Sequence, residues 1–210
     1  MNVLTMASDT VHDNIQAIKA ELRAAMNGIA SRAIRESGMG YRLAFGTELP
    51  RLREIAKGFN PDRHLALALW QENIRETKML AIMLYPQDEF DADMADIWMS
   101  DLVPEQAEIA QLLAMDLLAH LPSAADMAFR WMADEHQMQQ LCGFLVVTRL
   151  LMQGAELSPD AQAEFIDQAA SALPASYLPL RKAVQNALLR YAETSAEAGI
   201  AVDKLLGSQC

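Results

Sequence analysis

Two cysteines in 210 residues, Cys142 in an apolar segment and Cys210 at the terminus, are too few for a disulfide framework, so a reducing cytoplasm is the expected setting. No apolar run approaches the roughly 20 residues that span a bilayer, which excludes a membrane-spanning helix. The first residues, MNVLTMASDTVHDN, lack a basic start followed by an apolar block, and no secretory signal is expected. Histidines 12, 64, 120 and 136 are scattered singly and make no zinc pattern with Cys142. There is no glycine-rich phosphate loop, nucleophile elbow or Cys-x-x-Cys pair. The acidic stretch fails as a calcium loop: counted from Asp91, Asp96 stands where a glycine is required and Leu102 where a glutamate is. No stretch alternates convincingly as a strand, and no low-complexity linker divides the chain. No metal and no organic cofactor are expected.

What the chain does contain is a helical pattern that repeats. From Arg63 to Tyr85 the sequence RHLALALWQENIRETKMLAIMLY reads as two short helices about a polar turn, Gln71 to Arg75. A large apolar anchor, followed about eleven positions later by a second apolar helix, recurs at Trp70 and Ala81, Trp98 and Ile109, Trp131 and Cys142, and Leu173 and Val184. The anchors lie 28, 33 and 42 residues apart, near the periods of helical-hairpin arrays. The fold class predicted is all-α: an alpha-alpha superhelix of HEAT-like hairpin repeats forming one domain over 1–210.

Around this core the boundaries read as follows. Ser8 or Asp9 can cap a first helix through about Met26, and Asn27-Gly28 permits a break before a helix from Ile29 to Glu36. Tyr41 to Gly46 is irregular. Thr47 can cap Glu48 to Lys57, and Asn60-Pro61 reads as a cap with proline at the first helical position. An acidic helix runs from about Glu89 to Met99, another from Pro104 to about His120. Ser123 with Asp126 resembles a capping box. The helix from His136 to Met152 is apolar almost all round and should be the most buried. Ser158-Pro159 opens a helix to Ala172, Leu180 to Ala192 is amphipathic, and the last 18 residues add a frayed turn or helix.

The net charge of −11 conceals an asymmetry. Up to Lys78 there are 11 basic and 9 acidic residues, and from Met79 onward 6 basic and 19 acidic. Lys19 to Lys57 holds 8 basic against 4 acidic residues, whereas Asp88 to Ile109 holds eight acidic and no basic ones. The acidic run reads as a solvated face, or as one that keeps polyanions away. Arg51, Arg53, Lys57, Arg75, Lys78, Arg181, Lys182 and Arg190 are the candidate phosphate contacts. For Arg75 with Glu76, and for Glu72 near Lys78, pairing between helices is an equal alternative.

The segments LALALWQENIRETKMLAIML, ADIWMSDL, RWMADEHQMQQLCGFLVVTRLL and LPLRKAVQNALLRYA, after IRESGMGYRLAFGTELPRLREIAK, resemble the DNA alkylation repair family of AlkD-like HEAT-repeat proteins over about residues 20–192. The resemblance implies a curved stack of hairpins holding duplex DNA on its concave face. It also implies hydrolysis of the N-glycosidic bond of cationic alkylated purines such as 3-methyladenine and 7-methylguanine, without metal or organic cofactor. A base already carrying positive charge leaves readily, so the protein has mainly to stabilise an oxocarbenium-like sugar with a carboxylate and aromatic faces. The family's paired tryptophans and aspartate fall near Asp96 to Asp101, making Trp98 and Asp101 the candidate catalytic residues; the second tryptophan is missing and the spacing is three rather than four. Aligned instead on the helix ending at His120, the carboxylate falls near Glu105 or Gln106. The family arginine falls near Gln140 or Leu141, with Arg130 and Arg149 the nearest cations. The expected partner is duplex DNA carrying alkylated purines, bound by a monomer. The alternative is a non-catalytic HEAT-repeat scaffold binding DNA or a protein.

Overall fold

The computed structural model describes residues 3–38 and 40–207, with side chains from residue 10 onward; Cys210 lies outside the described residues. Twelve α-helices and three short 3-10 turns are described, with no strand among them and one isolated parallel bridge, Leu43 to Ile74. They gather into two compact units, residues 1–90 and 91–210.

The first unit contains α1 (Val3–Ala24), α2 (Gly28–Glu36), α3 (Leu49–Ala56), α4 (Arg63–Gln71) and α5 (Arg75–Leu84). Helix α1 begins before Ser8 and Asp9, so neither is its cap. Asn27 does end the break as read: its side chain accepts the Ile29 and Ala30 N–H groups, 3.1 Å each, opening α2. Thr47 does not cap α3, because its hydroxyl is drawn to the Ala25 carbonyl; Glu48 holds the cap position without a side-chain bond. Nor does Asn60 cap α4. The Asp62 N–H is held by the Leu84 carbonyl at 2.9 Å, and the Asp62 carboxylate caps Leu65 N–H at 2.7 Å, so the helix starts at Arg63. Helices α4 and α5 pack as a hairpin, with α3 against α5 and α1 against α4.

The second unit contains α6 (Ala92–Ser100), α7 (Ala107–Asp116), α8 (Ala124–Met132), α9 (Gln137–Met152), α10 (Pro159–Ala172), α11 (Leu178–Ala192) and α12 (Ala196–Gly207). Asp91, rather than a residue near Glu89, caps α6 through Met94 N–H. Ser123 makes no side-chain cap, which removes the capping box, whereas Ser158 caps α10 as its Ser-Pro pair predicts. Helix α9 is central, packed by α7, α8 and α11, with nine residues buried from Met138 to Leu151. Where it meets α8 a Cβ on Gly143 would stand 2.6 Å from the Ala128 carbonyl oxygen, an approach that only glycine permits. The tail is not frayed over α12, which packs on α10 and α11 through Ala198 and Val202.

The recurring anchors are core positions. Trp70, Trp98 and Trp131 are buried, and their partners eleven positions on, Ala81, Ile109 and Cys142, are all 0% exposed, as is Val184 after Leu173. Each hairpin therefore hides the apolar side that its helices cannot cover alone.

Candidate functional site

In the first unit the segment 41–47 is fastened to the turn between α4 and α5. Arg42 N–H donates to Asn73 O and Arg75 N–H to Leu43 O, 3.0 and 3.1 Å. The Glu76 side chain, 0% exposed, fills a nest of backbone donors. One oxygen, Oε2, accepts Phe45 N–H at 2.9 Å. The other, Oε1, accepts Gly46 N–H at 2.9 Å, Thr47 N–H at 3.3 Å and Arg75 Nη1 at 3.0 Å. Gly46 has φ +73, and a Cβ there would lie 2.5 Å from both Asn27 O and Ser31 N. The loop can approach α2 and turn its N–H groups to the carboxylate only because this residue is glycine.

That nest redefines two candidate phosphate contacts. Arg75 is largely buried, donating from Nη1 to Thr47 O at 3.1 Å and pairing with Glu76, its neighbour on α5, so the pair lies within one helix rather than between two. Lys78 is 5% exposed, with Nζ 4.1 Å from the Trp70 ring centroid, a desolvated cation over an aromatic face. Neither is presented to a polyanion. Arg51, Arg53 and Lys57 are exposed on α3; Arg51 reaches Glu21 at 3.1 Å and Lys57 reaches Glu54 at 2.7 Å. Such exposed pairs contribute little to stability. That lysine also holds the Glu54 carboxyl below its ordinary value, chiefly through their hydrogen bond.

In the second unit Trp98, an expected sugar-facing aromatic, is 1% exposed. Its ring is spent on the core, because the anchor position points inward in every hairpin. Asp101 is exposed at the C-terminal end of α6, its N–H held by Ile97 O and Met99 O. The Trp98 ring therefore offers no exposed face. Asp96 is tied elsewhere: its oxygens accept Arg130 Nη2 at 2.9 and 3.0 Å and Trp131 Nε1 at 3.2 Å. Gln106 is buried, Glu105 exposed and Arg149 half-buried in α9.

A cavity of about 320 Å³ opens between α7, α9 and α11, with Glu108, Gln111, Leu141, Leu145, Lys182 and Asn186 among its walls. Lys182 is thus gathered with one carboxylate and two amides. Arg190 is not, since it lines another cavity near Glu156 and pairs with Glu193 at 2.9 Å; Arg181 is half-buried on the same helix. Sequence reasoning missed Glu108, Gln111 and Asn186. Their only signal was a polar position on an amphipathic helix, shared with every solvated residue. Nearby, the Tyr177 hydroxyl donates to the Pro104 carbonyl, and burial, with the charge of Glu105, pushes its phenol up to about 12.

Among the described residues no helix is long and apolar enough to cross a membrane, and no three His, Cys, Asp or Glu residues gather as a metal site.

The family model described as DNA alkylation repair enzyme matches residues 18–201. The chain belongs to that family. The same fold occurs in a solved structure from "a new family of proteins related to the HEAT-like repeat DNA glycosylases with affinity for branched DNA structures". The likeness has a TM-score of 0.75 at 16% identity and covers 90% of this chain and 80% of that one. No curated protein matches the chain. Of the two positions near which the resemblance puts the family arginine, the Gln140 amide donates to Asp134 O at 2.8 Å and Leu141 lines the cavity.

Proposed function

We propose that this protein is a DNA-binding member of the family that recognises DNA structure and does not excise alkylated purines. The observation that carries the reading is the 1% exposure of Trp98: a ring packed in the core offers no negative face to a developing oxocarbenium ion. The apolar Leu141 at the arginine position supports it. So does the fold shared with a protein family described by its affinity for branched DNA, a property transferred here as a proposal. With a net charge of −11, contact with phosphates must be local, through α3 with Arg51, Arg53 and Lys57 and through Lys182 on α11.

The test is fluorescence anisotropy of a labelled four-way junction and of a linear duplex of equal length, read as salt rises from low to physiological. Tighter binding to the junction, weakening steeply with salt, is expected. Equal affinity for the two would remove structure recognition, and no binding at low salt would remove DNA altogether. Incubation with N-methylated DNA is expected to release no free 3-methyladenine or 7-methylguanine above a protein-free control.

A second reading, base excision, is favoured by one feature, the Glu108 carboxylate on the 320 Å³ cavity. Release of methylated bases that is lost in Glu108→Gln and kept in Asp101→Asn would establish it with Glu108 as the stabilising charge; the opposite pattern would assign Asp101.

A further inference from the structure

The first unit holds a smaller cavity whose chemistry the DNA contacts above do not use. It has a volume of about 250 Å³ and lies between the last turn of α2 and the segment 41–44, with Ser31, Arg35, Tyr41, Arg42 and Leu43 among its walls. That is below the roughly 300 Å³ at which pockets for drug-sized ligands begin, so a small group is the natural occupant.

Both arginines stand on fixed backbone. Arg35 is carried by α2, which Asn27 caps and which the Ser31 hydroxyl fastens to Ala44 O at 2.6 Å. Arg42 is pinned by its N–H to Asn73 O at 3.0 Å, beside the Leu43 to Ile74 bridge. The Arg42 guanidinium is weakly committed. Its carboxylate partner is Glu72 at 3.5 Å, and Glu72 is already held by Lys19 at 2.7 Å. The acid next to Arg35 in sequence, Glu36, is taken by Arg32 at 2.7 Å. Two guanidinium groups thus flank a small cavity, with Arg42 holding Glu72 only at long range, 3.4 Å to its carbonyl and 3.5 Å to its carboxylate, and Glu36 taken by Arg32.

The geometry points to a site for a phosphate-class anion in this cavity, gripped by Arg35 and Arg42. Planar guanidinium groups bind phosphate oxygens in pairs, which a lysine's point charge cannot do. The phosphate can belong to a DNA backbone or to a free nucleotide or pyrophosphate. The DNA source rests on the function proposed above, and the free source does not.

Two measurements separate the sources. In the first, pyrophosphate is titrated into the full chain while the arginine Nε–H signals are followed by NMR, with assignments from Arg35→Gln and Arg42→Gln. Saturable shifts of both arginines, absent at the exposed Arg63 and lost in either variant, are expected. Arg35→Lys, which keeps the charge, should weaken the shift at Arg42. In the second, junction and duplex binding is measured against salt for the double variant. If the phosphate is DNA's, the slope of log affinity against log salt falls by about 0.9 for the one phosphate the two arginines hold, so that the double variant loses about three- to fourfold less affinity between about 50 and 200 mM salt. An unchanged slope, or no DNA binding at all, with the pyrophosphate shifts intact assigns the site to a free phosphate. Shifts of equal size at Arg63, or none at Arg35 and Arg42 together with an unchanged slope, would overturn the site.

Discussion

Replacing Glu76 by alanine should be among the most damaging single changes in the first unit, although a glutamate in a helix ordinarily marks the solvated face. The side chain is 0% exposed and accepts four hydrogen bonds, three from consecutive backbone N–H groups and one from Arg75. Each buried donor left without a partner costs about 1–3 kcal/mol, and removing one member of a buried ion pair costs about 3–5 kcal/mol. Arg75 keeps its bond to Thr47 O, and water entering the vacated space relieves part of the rest. The net expectation is roughly 4–6 kcal/mol, a large share of the 5–15 kcal/mol that a folded domain possesses. With a urea slope of about 2 kcal/mol per molar, the midpoint should fall by roughly 2–3 M. Fluorescence of Trp70, buried in the same unit, and far-ultraviolet circular dichroism report the transition. Glu76→Gln should lie between, because its amide oxygen can replace Oε1 while its NH₂ meets the Phe45 N–H donor to donor; about 2–3 kcal/mol is expected. A midpoint shift for Glu76→Ala below about 0.5 M would show that the nest does not hold the loop, and the account of segment 41–47 would fail.

Gly143→Ala places a Cβ 2.6 Å from the Ala128 carbonyl oxygen and 2.8 Å from Met132 N, backbone atoms that cannot rotate away. A loss of about 3 kcal/mol is expected in thermal unfolding, whereas Gly28→Ala, with nothing within 4 Å, should be neutral or raise stability by up to about 1 kcal/mol. Lys78→Gln should lower stability and leave the salt slope of DNA binding unchanged, while Lys182→Gln should reduce that slope by about 0.9; the reverse pattern would mean that Lys78 leaves Trp70 to reach the phosphate. Tyr177 is held in its neutral form up to about 12 against about 10 for a free phenol. Its folded pKa is raised, so the stability it contributes is complete below the unfolded value and lost as pH climbs from that value through the folded one. Tyr177→Phe should remove a phenolate that appears late in an ultraviolet pH titration and flatten the alkaline limb of the stability profile.

Asp134 carries the opposite sign. Its carboxylate accepts the His136 N–H at 2.8 Å and also meets the His136 ring, which lowers its pKa below the ordinary 3.8. The associated stability is present above that value and lost as pH falls through the folded pKa. Asp134→Asn should remove this contribution, seen as a midpoint that falls less between neutral and strongly acidic buffers than in the parent chain.

Helix identity and the buried side of each helix were legible in the residues because the helical period is a local property. Trp70 and Ala81, Trp98 and Ile109, and Trp131 and Cys142 mark the side each helix must hide, and all six are buried. Caps were less legible, since several side chains near a boundary can cap equally well and distant contacts choose among them. Asp62 displaces Asn60 because the Leu84 carbonyl holds its N–H. The candidate site was the least legible. Trp98 obeys the repeat and is therefore core, while Lys182 meets Glu108 and Gln111 only because α7 and α11 flank α9.

The order of apolar and polar residues by itself determined that this chain is built of helices, where most of them lie and which side each turns inward, since these depend on neighbours three or four positions away. Only the tertiary structure decided that Glu76, Arg75 and Lys78 are interior while Arg35 and Arg42 flank a cavity. A charged side chain is stable inside only where opposite charge or hydrogen-bond donors meet it. For Glu76 those donors come from residues 45–47, some thirty positions away along the chain.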